Sequence, residues 1–130
     1  MALNTTLFLI LSFFVVNIIS DEYDIINQFK DHIDECIKEI QIDRGMVVSF
    51  FKNGAFKEDK NLKCFLYCLH VKIKFVNENG VANVGEMKNV ILPIAVDKAK
   101  TEAVIEKCSK IKENDKCETS FEIDKCLRSQ

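Results

Sequence analysis

Apolar residues follow a helical spacing over most of the chain. Between residues 21 and 40 they recur at steps of three and four, which places them on one face of a helix. The same spacing returns in five later segments, separated by turn formers such as Asn53-Gly54. No stretch alternates apolar and polar residues over the length of a strand. The pattern predicts an all-α domain with six helices, at about residues 21–40, 45–52, 61–76, 84–92, 93–111 and 114–127.

Three helix starts in this prediction rest on particular residues. Pro93 is the only proline in the chain, and because it lacks a backbone N–H it suits the first turn of a helix rather than the interior. We therefore expect the fifth helix to begin at Pro93. Asp43 and Asn83 precede the second and fourth helices, where their side chains can cap the first turn.

The first 20 residues carry no charged side chain, and residues 7–19 are apolar except for Ser12 and Asn17. This run is too short for a membrane-spanning helix, which needs about 20 apolar residues. It fits the apolar part of a secretory signal peptide, with Ser20 at the cleavage point. We expect a signal peptide over residues 1–20 and a mature domain over residues 21–130. Because the segment lacks Lys and Arg and has Ile18 three residues before the cut, an uncleaved anchor is the alternative.

Charge and composition exclude several function classes. The chain has 18 Lys and Arg against 20 Asp and Glu, a formal net charge of −2. These charges are interspersed with apolar residues at helical spacing and form no basic patch. Nucleic acid is therefore not an expected partner. A secreted phospholipase-like enzyme would need a His-Asp pair. Asp31-His32 is an isolated pair in the reverse order. We expect no catalytic residue, no enzyme activity and no cofactor.

The six cysteines all lie in the mature part, and an even number in a small secreted chain predicts three disulfides. Cys64 and Cys68 are four residues apart in the third helix, so both sulfurs leave the same helix face. A zinc site is the alternative, but His32 and His70 do not form a ligand pair with each other. We expect no metal. Spacing alone leaves fifteen pairings open among Cys36, Cys64, Cys68, Cys108, Cys117 and Cys126.

The gaps between these cysteines are 27, 3, 39, 8 and 8 residues. They resemble the gaps of the insect odorant-binding proteins in the pheromone- and general-odorant-binding family, and the resemblance covers the whole mature chain. It implies a compact six-helix domain with three interlocked disulfides around an internal apolar cavity. The pairing that it implies is Cys36–Cys68, Cys64–Cys117 and Cys108–Cys126.

The resemblance further implies an extracellular carrier of small hydrophobic ligands, such as odorants, pheromones or related lipophiles, in sensillum lymph or another secreted fluid. An olfactory receptor at the membrane surface is the second expected partner, and the protein is expected as a monomer or weak homodimer. The alternative is a non-olfactory carrier, or a venom, salivary or signalling protein of the same fold. Some family members close the pocket with a C-terminal segment. Because four residues follow Cys126 in this sequence, we do not expect release gated by such a segment.

The resemblance also implies candidate ligand residues, which are carried over from the family by their offsets to the cysteines. Ordinary core packing is the alternative for each. His70 is the titratable member, and a structural role is favoured over pH-triggered release. Tyr67 is a candidate to hydrogen-bond an alcohol or carbonyl ligand at the rim. The expected lining is Phe29, Leu66, His70, Phe75, Val90, Ile91, Ile105 and Leu127, with Phe50, Phe51, Met87, Val104 and Phe121 as second choices.

Overall fold

The structure is a computed structural model that describes residues 26–129. The predicted signal peptide and the start of the first helix at residues 21–25 lie outside the described residues. The chain divides into two units, residues 1–30 and 31–130. In the first unit, residues 26–28 are helical and Phe29 lies in a turn. None of the described helices is both long enough and apolar enough to cross a membrane.

The predicted all-α class is confirmed. Within residues 26–129, extended pairing is limited to an isolated bridge between Val76 and Ala82. A short 3-10 helix, Leu92–Ile94, follows the fourth α-helix. The α-helices are α1 Lys30–Ile40, α2 Arg44–Asn53, α3 Lys60–Lys72, α4 Val84–Ile91, α5 Lys98–Cys108 and α6 Lys116–Arg128.

Side-chain caps fix most of the helix starts. The carboxylate of Asp115 accepts the N–H groups of two residues in the first turn of α6, and Asn83 caps α4 as predicted. Asp43 holds the capping position of α2 but makes no side-chain hydrogen bond there. Gly54 ends α2 in the left-handed conformation, with φ 62°, which confirms the predicted Asn-Gly stop.

The prediction that the third helix reaches residue 76 is wrong, because α3 ends at Lys72. Lys74 adopts φ 67°, and the N–H of Phe75 donates to the carbonyl of His70 at 2.8 Å. This geometry is a Schellman termination, and it turns Phe75 and Val76 into the core, where both are buried. The end of this helix could not be predicted from the sequence, because the left-handed residue is lysine rather than glycine and the apolar run continues past it.

The prediction that the fifth helix begins at Pro93 is also wrong. Pro93 lies in the 3-10 helix, and α5 begins at Lys98, where Asp97 accepts the N–H of Lys100 at 3.0 Å. The proline does mark a boundary, but it is the end of α4. The aspartate is the signal for the new helix, since its side chain satisfies an N–H group in the first turn.

Disulfides join α3 to two other helices from adjacent turns. Cys68 is bonded to α1 and Cys64 to α6, and a third bridge joins α5 to α6. No cysteine remains free, which excludes a thiolate zinc site. The bonds are Cys36–Cys68, Cys64–Cys117 and Cys108–Cys126, the pairs that the resemblance implies.

Ion pairs reinforce the same helix contacts. Lys63 Nζ lies 2.6 Å from Glu118 Oε2 on α6, and the hydrogen bonds of Lys63, first with Glu118, raise its pKa above the ordinary lysine value. Lys72 Nζ lies 3.0 Å from Glu39 Oε1 on α1, and the hydrogen bond to Glu39 likewise raises the pKa of Lys72. Both lysines are half-buried and solvent still reaches both pairs, so the pairs add little to the covalent links.

An aromatic cluster forms one part of the core. Its rings meet edge to face with centroids 5.0 to 6.4 Å apart, the geometry that aromatic quadrupoles favour. The cluster joins α2, α3 and α6. Three of the second-choice ligand residues, Phe50, Phe51 and Phe121, pack ring to ring in it. Its members are Phe50, Phe51, Phe56, Phe65 and Phe121.

The cap at α6 makes a test of this account. Replacing Asp115 by alanine leaves two N–H groups without their acceptor, so we expect the free energy of unfolding to fall by about 1–2 kcal/mol and Tm by roughly 4–10 °C. Thermal unfolding followed by circular dichroism measures both. Asp43→Ala is the matched control, because Asp43 makes no side-chain cap bond. Equal losses in the two variants would contradict the assignment.

Candidate functional site

A second apolar cluster gathers residues from the end of α3 through α6. We call it the Met87 cluster, after its fully buried residue on α4. Its buried members are Phe75, Val76, Met87, Ile105 and Ile123. Half-buried side chains surround them, namely Tyr67, Val71, Ile73, Ala82, Val84, Val90, Ile91, Leu92, Ile111 and Leu127.

Five of the eight predicted ligand residues meet in this cluster: Phe75, Val90, Ile91, Ile105 and Leu127. Leu66 is fully buried on α3 but lies outside the cluster. His70 is buried beside the cluster, with its ring centre 5.8 Å from that of Phe75. Phe29 lies in the first unit, where it is half-buried. Met87, a second choice in the sequence, is at the core of the cluster.

The disulfide between α5 and α6 explains how two of these residues come together. Ile105 and Ile123 each lie three residues before a cysteine of the Cys108–Cys126 bond. Residues three apart share a helix face, so the bond that joins the two cysteines also brings these isoleucines into one cluster. On α4, Val90 and Ile91 follow Met87 at steps of three and four and share its face.

The connection between α3 and α4 packs over one side of the cluster. The Tyr67 hydroxyl donates to the carbonyl of Glu78 at 2.7 Å, and Asn77 Oδ1 accepts the N–H of Val81 at 3.0 Å. Burial, and then the charge of Glu78, raises the pKa of Tyr67, which keeps the phenol protonated at neutral pH. The predicted rim hydroxyl is therefore engaged by the backbone of this connection.

An open groove of about 550 Å³ runs along the same connection. Four of its lining residues, Val71, Val76, Ala82 and Val84, also belong to the Met87 cluster. Lys74 and Glu78 stand in the groove as its charged residues. The groove is open to solvent, so solvent reaches one edge of the apolar cluster.

A polar chain runs between the two clusters from the buried His70 through Asp124 to the exposed Arg128. His70 on α3 is 3% exposed, and its Nε2 lies 3.4 Å from Asp124 Oδ2 on α6. Arg128 Nε donates to the other carboxylate oxygen of Asp124 at 2.8 Å. The guanidinium carbon of Arg128 then lies 4.6 Å from the ring centre of Phe50, within range of a cation–π contact.

Asp124 stays ionised within this set of polar contacts. Burial acts to raise its pKa, but the hydrogen bond from His70 and the charge of Arg128 outweigh burial and hold the pKa below the ordinary aspartate value. Sequence reasoning found His70 and missed Asp124 and Arg128. Their spacing of four residues on one helix was a visible signal. The contact of Asp124 with His70, 54 residues earlier in the chain, had no signal in the sequence, since periodicity carries no information about contacts between helices.

Comparisons with known proteins show the family of the chain. The model of the PBP/GOBP family matches residues 20–130. General odorant-binding protein 56a of Drosophila melanogaster is 26% identical over 104 residues, which cover 77% of this chain and 70% of the relative. Odorant-binding protein 10 of Aedes aegypti is 24% identical over 129 residues, which cover 96% of this chain and 90% of the relative.

Two solved structures are similar to the fold. The fatty acid binding protein OBP56a from the oral disk of the blowfly Phormia regina superposes with a TM-score of 0.66 and 26% identity, over 79% of this chain and 88% of that chain. The Locusta migratoria odorant-binding protein lmigOBP1 superposes with a TM-score of 0.71 and 24% identity, over 81% of this chain and 80% of that chain, and shows the fold alone. The chain therefore belongs to the PBP/GOBP family, whose odorant-binding fold implies a carrier of hydrophobic ligands rather than an enzyme.

Proposed function

We propose that the protein is an extracellular carrier that binds small hydrophobic molecules at the Met87 cluster and keeps them in solution. The observation that carries this proposal is the shape of the cluster. Its buried centre is ringed by half-buried apolar side chains, and one edge borders a groove open to solvent. A hydrophobic ligand would shield that ring from water, which is the dominant favourable term in such binding.

The ligand would contact the predicted residues of the cluster, Phe75, Val90, Ile91, Ile105 and Leu127, with Leu66 retained as proposed lining. Phe29 lies in the first unit, and its role in ligand binding stays a prediction. A ligand of about 15 heavy atoms at about 0.4–0.5 kcal/mol per atom binds with roughly −6 to −7.5 kcal/mol. The corresponding Kd lies between micromolar and tens of micromolar. Such an affinity allows loading and release without a covalent step.

Secretion is part of the proposal. The apolar run at residues 7–19 supports a signal peptide over residues 1–20 that leaves a mature domain over residues 21–130. All six cysteines are bonded, and disulfides persist in oxidising compartments outside the cytosol. Sensillum lymph is one such fluid, and an olfactory receptor would be the partner that receives the ligand there.

A non-olfactory carrier is the second candidate. The blowfly neighbour is named a fatty acid binding protein and comes from the oral disk. That name favours long-chain lipids and a secreted fluid outside the olfactory organs for this chain as well. Transcript levels in chemosensory organs and in glands separate the two roles, since each predicts a different tissue for the same ligand chemistry.

The carrier proposal predicts uptake of a hydrophobic fluorescent dye. We expect N-phenyl-1-naphthylamine to bind the oxidised mature protein with a Kd from micromolar to tens of micromolar, and long-chain alcohols or fatty acids to displace it. Fluorescence titration measures both. Glycerol, a small polar alcohol, is the control and should leave the dye in place. Absence of dye uptake at micromolar protein would overturn the carrier function.

The location of the site predicts a difference between two neighbouring residues. Val90 is half-buried and packs on the Met87 cluster, whereas Asn89 on the same helix is exposed. Val90→Trp puts extra volume into the proposed site, so we expect dye affinity to fall at least about fivefold. Asn89→Trp adds the same side chain towards solvent and should leave affinity unchanged. Equal affinities in the two variants would exclude this part of the cluster from the site.

A further inference from the structure

The connection between α4 and α5 presents apolar side chains to solvent. Residues 91–96 read Ile-Leu-Pro-Ile-Ala-Val, without a polar side chain. Leu92 belongs to the Met87 cluster, but Ile94 is 47% exposed and Val96 is fully exposed. They are two of the four large apolar side chains exposed among residues 26–129. Single exposed apolar residues are ordinary, whereas neighbouring ones indicate a contact surface. We call residues 93–96 the α4–α5 tip.

The backbone of the tip is suited to apolar surroundings. Pro93 has no N–H group, and the N–H of Ala95 donates to the carbonyl of Leu92 at 3.1 Å. Neither residue therefore brings an unpaired donor that has to stay in water. The ring of Pro93 also fixes its φ angle, which reduces the entropy lost when the tip is held in one conformation. The tip can leave water at a low cost.

Two lysines follow the tip directly. Lys98 and Lys100 are exposed, and neither makes an ion pair within the described part of the chain. The nearest carboxylates are engaged, because Asp97 accepts the N–H of Lys100 at 3.0 Å and Glu102 pairs with a lysine of α4. Residues 92–101 hold two lysines against one aspartate. This segment is positive in a chain with a net charge of −2.

We propose that the α4–α5 tip is a docking surface for anionic lipid bilayers. Ile94 and Val96 would enter the boundary of the apolar layer, where their burial is favourable. Lys98 and Lys100 would meet the negative head groups, since a lysine can keep its stem in apolar surroundings and its charge outside them. A contact of this size gives reversible attachment at the interface. The proposal goes beyond the carrier function and does not depend on it.

The small size of the tip favours a bilayer over a protein partner. A stable protein interface engages about 20–30 residues on each side, and the tip has four. A bilayer accepts an apolar projection without a complementary shape. Leu92 lies in the 3-10 helix that leads into the tip and also belongs to the Met87 cluster, so docking would place that cluster next to the membrane.

Vesicle sedimentation tests the proposal on the oxidised mature protein without any added ligand. The two probes are vesicles of phosphatidylcholine alone and vesicles that also contain phosphatidylserine. We expect the partition coefficient to be at least about fivefold higher on the anionic vesicles and to fall as sodium chloride is raised. Equal binding to the two kinds of vesicle, or binding to neither, would overturn the docking surface. Because the assay uses no ligand, that failure would leave the carrier function standing.

A pair of double variants separates a local effect from the charge of the whole protein. Lys98→Gln with Lys100→Gln should lower the partition coefficient on anionic vesicles about tenfold. Lys110→Gln with Lys112→Gln is the matched control, because these lysines are also exposed and two residues apart but follow the other end of α5. We expect it to change the coefficient less than about twofold. Equal losses in the two variants would overturn the proposal.

An introduced tryptophan tests whether the tip itself enters the lipid. The chain has no tryptophan, so a single indole reports its own surroundings. We expect Val96→Trp to show a blue shift with anionic vesicles and quenching by brominated lipid chains. Val48→Trp, at an exposed valine of α2, should show neither. If the unmodified protein sediments with the vesicles while the Val96→Trp indole stays in water, another face meets the membrane and the proposal is overturned.

Discussion

Two disulfides leave α3 from adjacent turns and fasten it to different helices, and the other contacts of residues 31–129 depend on that junction. Cys68 ties α3 to α1, and Cys64 ties it to α6. With α6 held in this way, Asp124 faces His70 across the helix pair. The Cys108–Cys126 bond then carries α5 to the same helix. The polar chain and the Met87 cluster are both consequences of where α6 is held.

Covalent links also change what the interior can tolerate. The three bonds span 32, 53 and 18 residues. In the loop-closure model, each raises the free energy of the unfolded state by about 3 to 4 kcal/mol, because it reduces the entropy of the unfolded chain. A cavity costs roughly 24 cal/mol per Å³, and a buried charged pair costs several kcal/mol of desolvation per ion. A small domain without these bonds would have to fill its core with close-packed apolar groups. This one can keep the proposed binding space and an ionised Asp124.

Sequence reasoning succeeded at most of the local signals. It failed where a local signal takes an unusual form and where the outcome depends on contacts between helices. The caps at Asn83 and Asp115 and the stop at Gly54 are short-range effects, so the corresponding helix ends lie close to their predicted positions. The end of α3 was missed because Lys74 takes a conformation that usually marks glycine. Of the ligand candidates carried over from the family by their offsets to the cysteines, five lie in the Met87 cluster. The offsets gave no sign that Asp124, which pairs with Arg128, lies opposite His70. The contact between His70 and Asp124 exists only once α3 and α6 are packed.

The central claim is that the same bonds that stabilise the fold also maintain the binding site. The most direct measurement is dye affinity before and after all three disulfides are reduced and the thiols alkylated, with complete modification verified by mass. We expect binding and the cooperative thermal transition to be lost together, because α6 and α5 are then released from α3. Unchanged affinity in the fully alkylated protein would contradict the account.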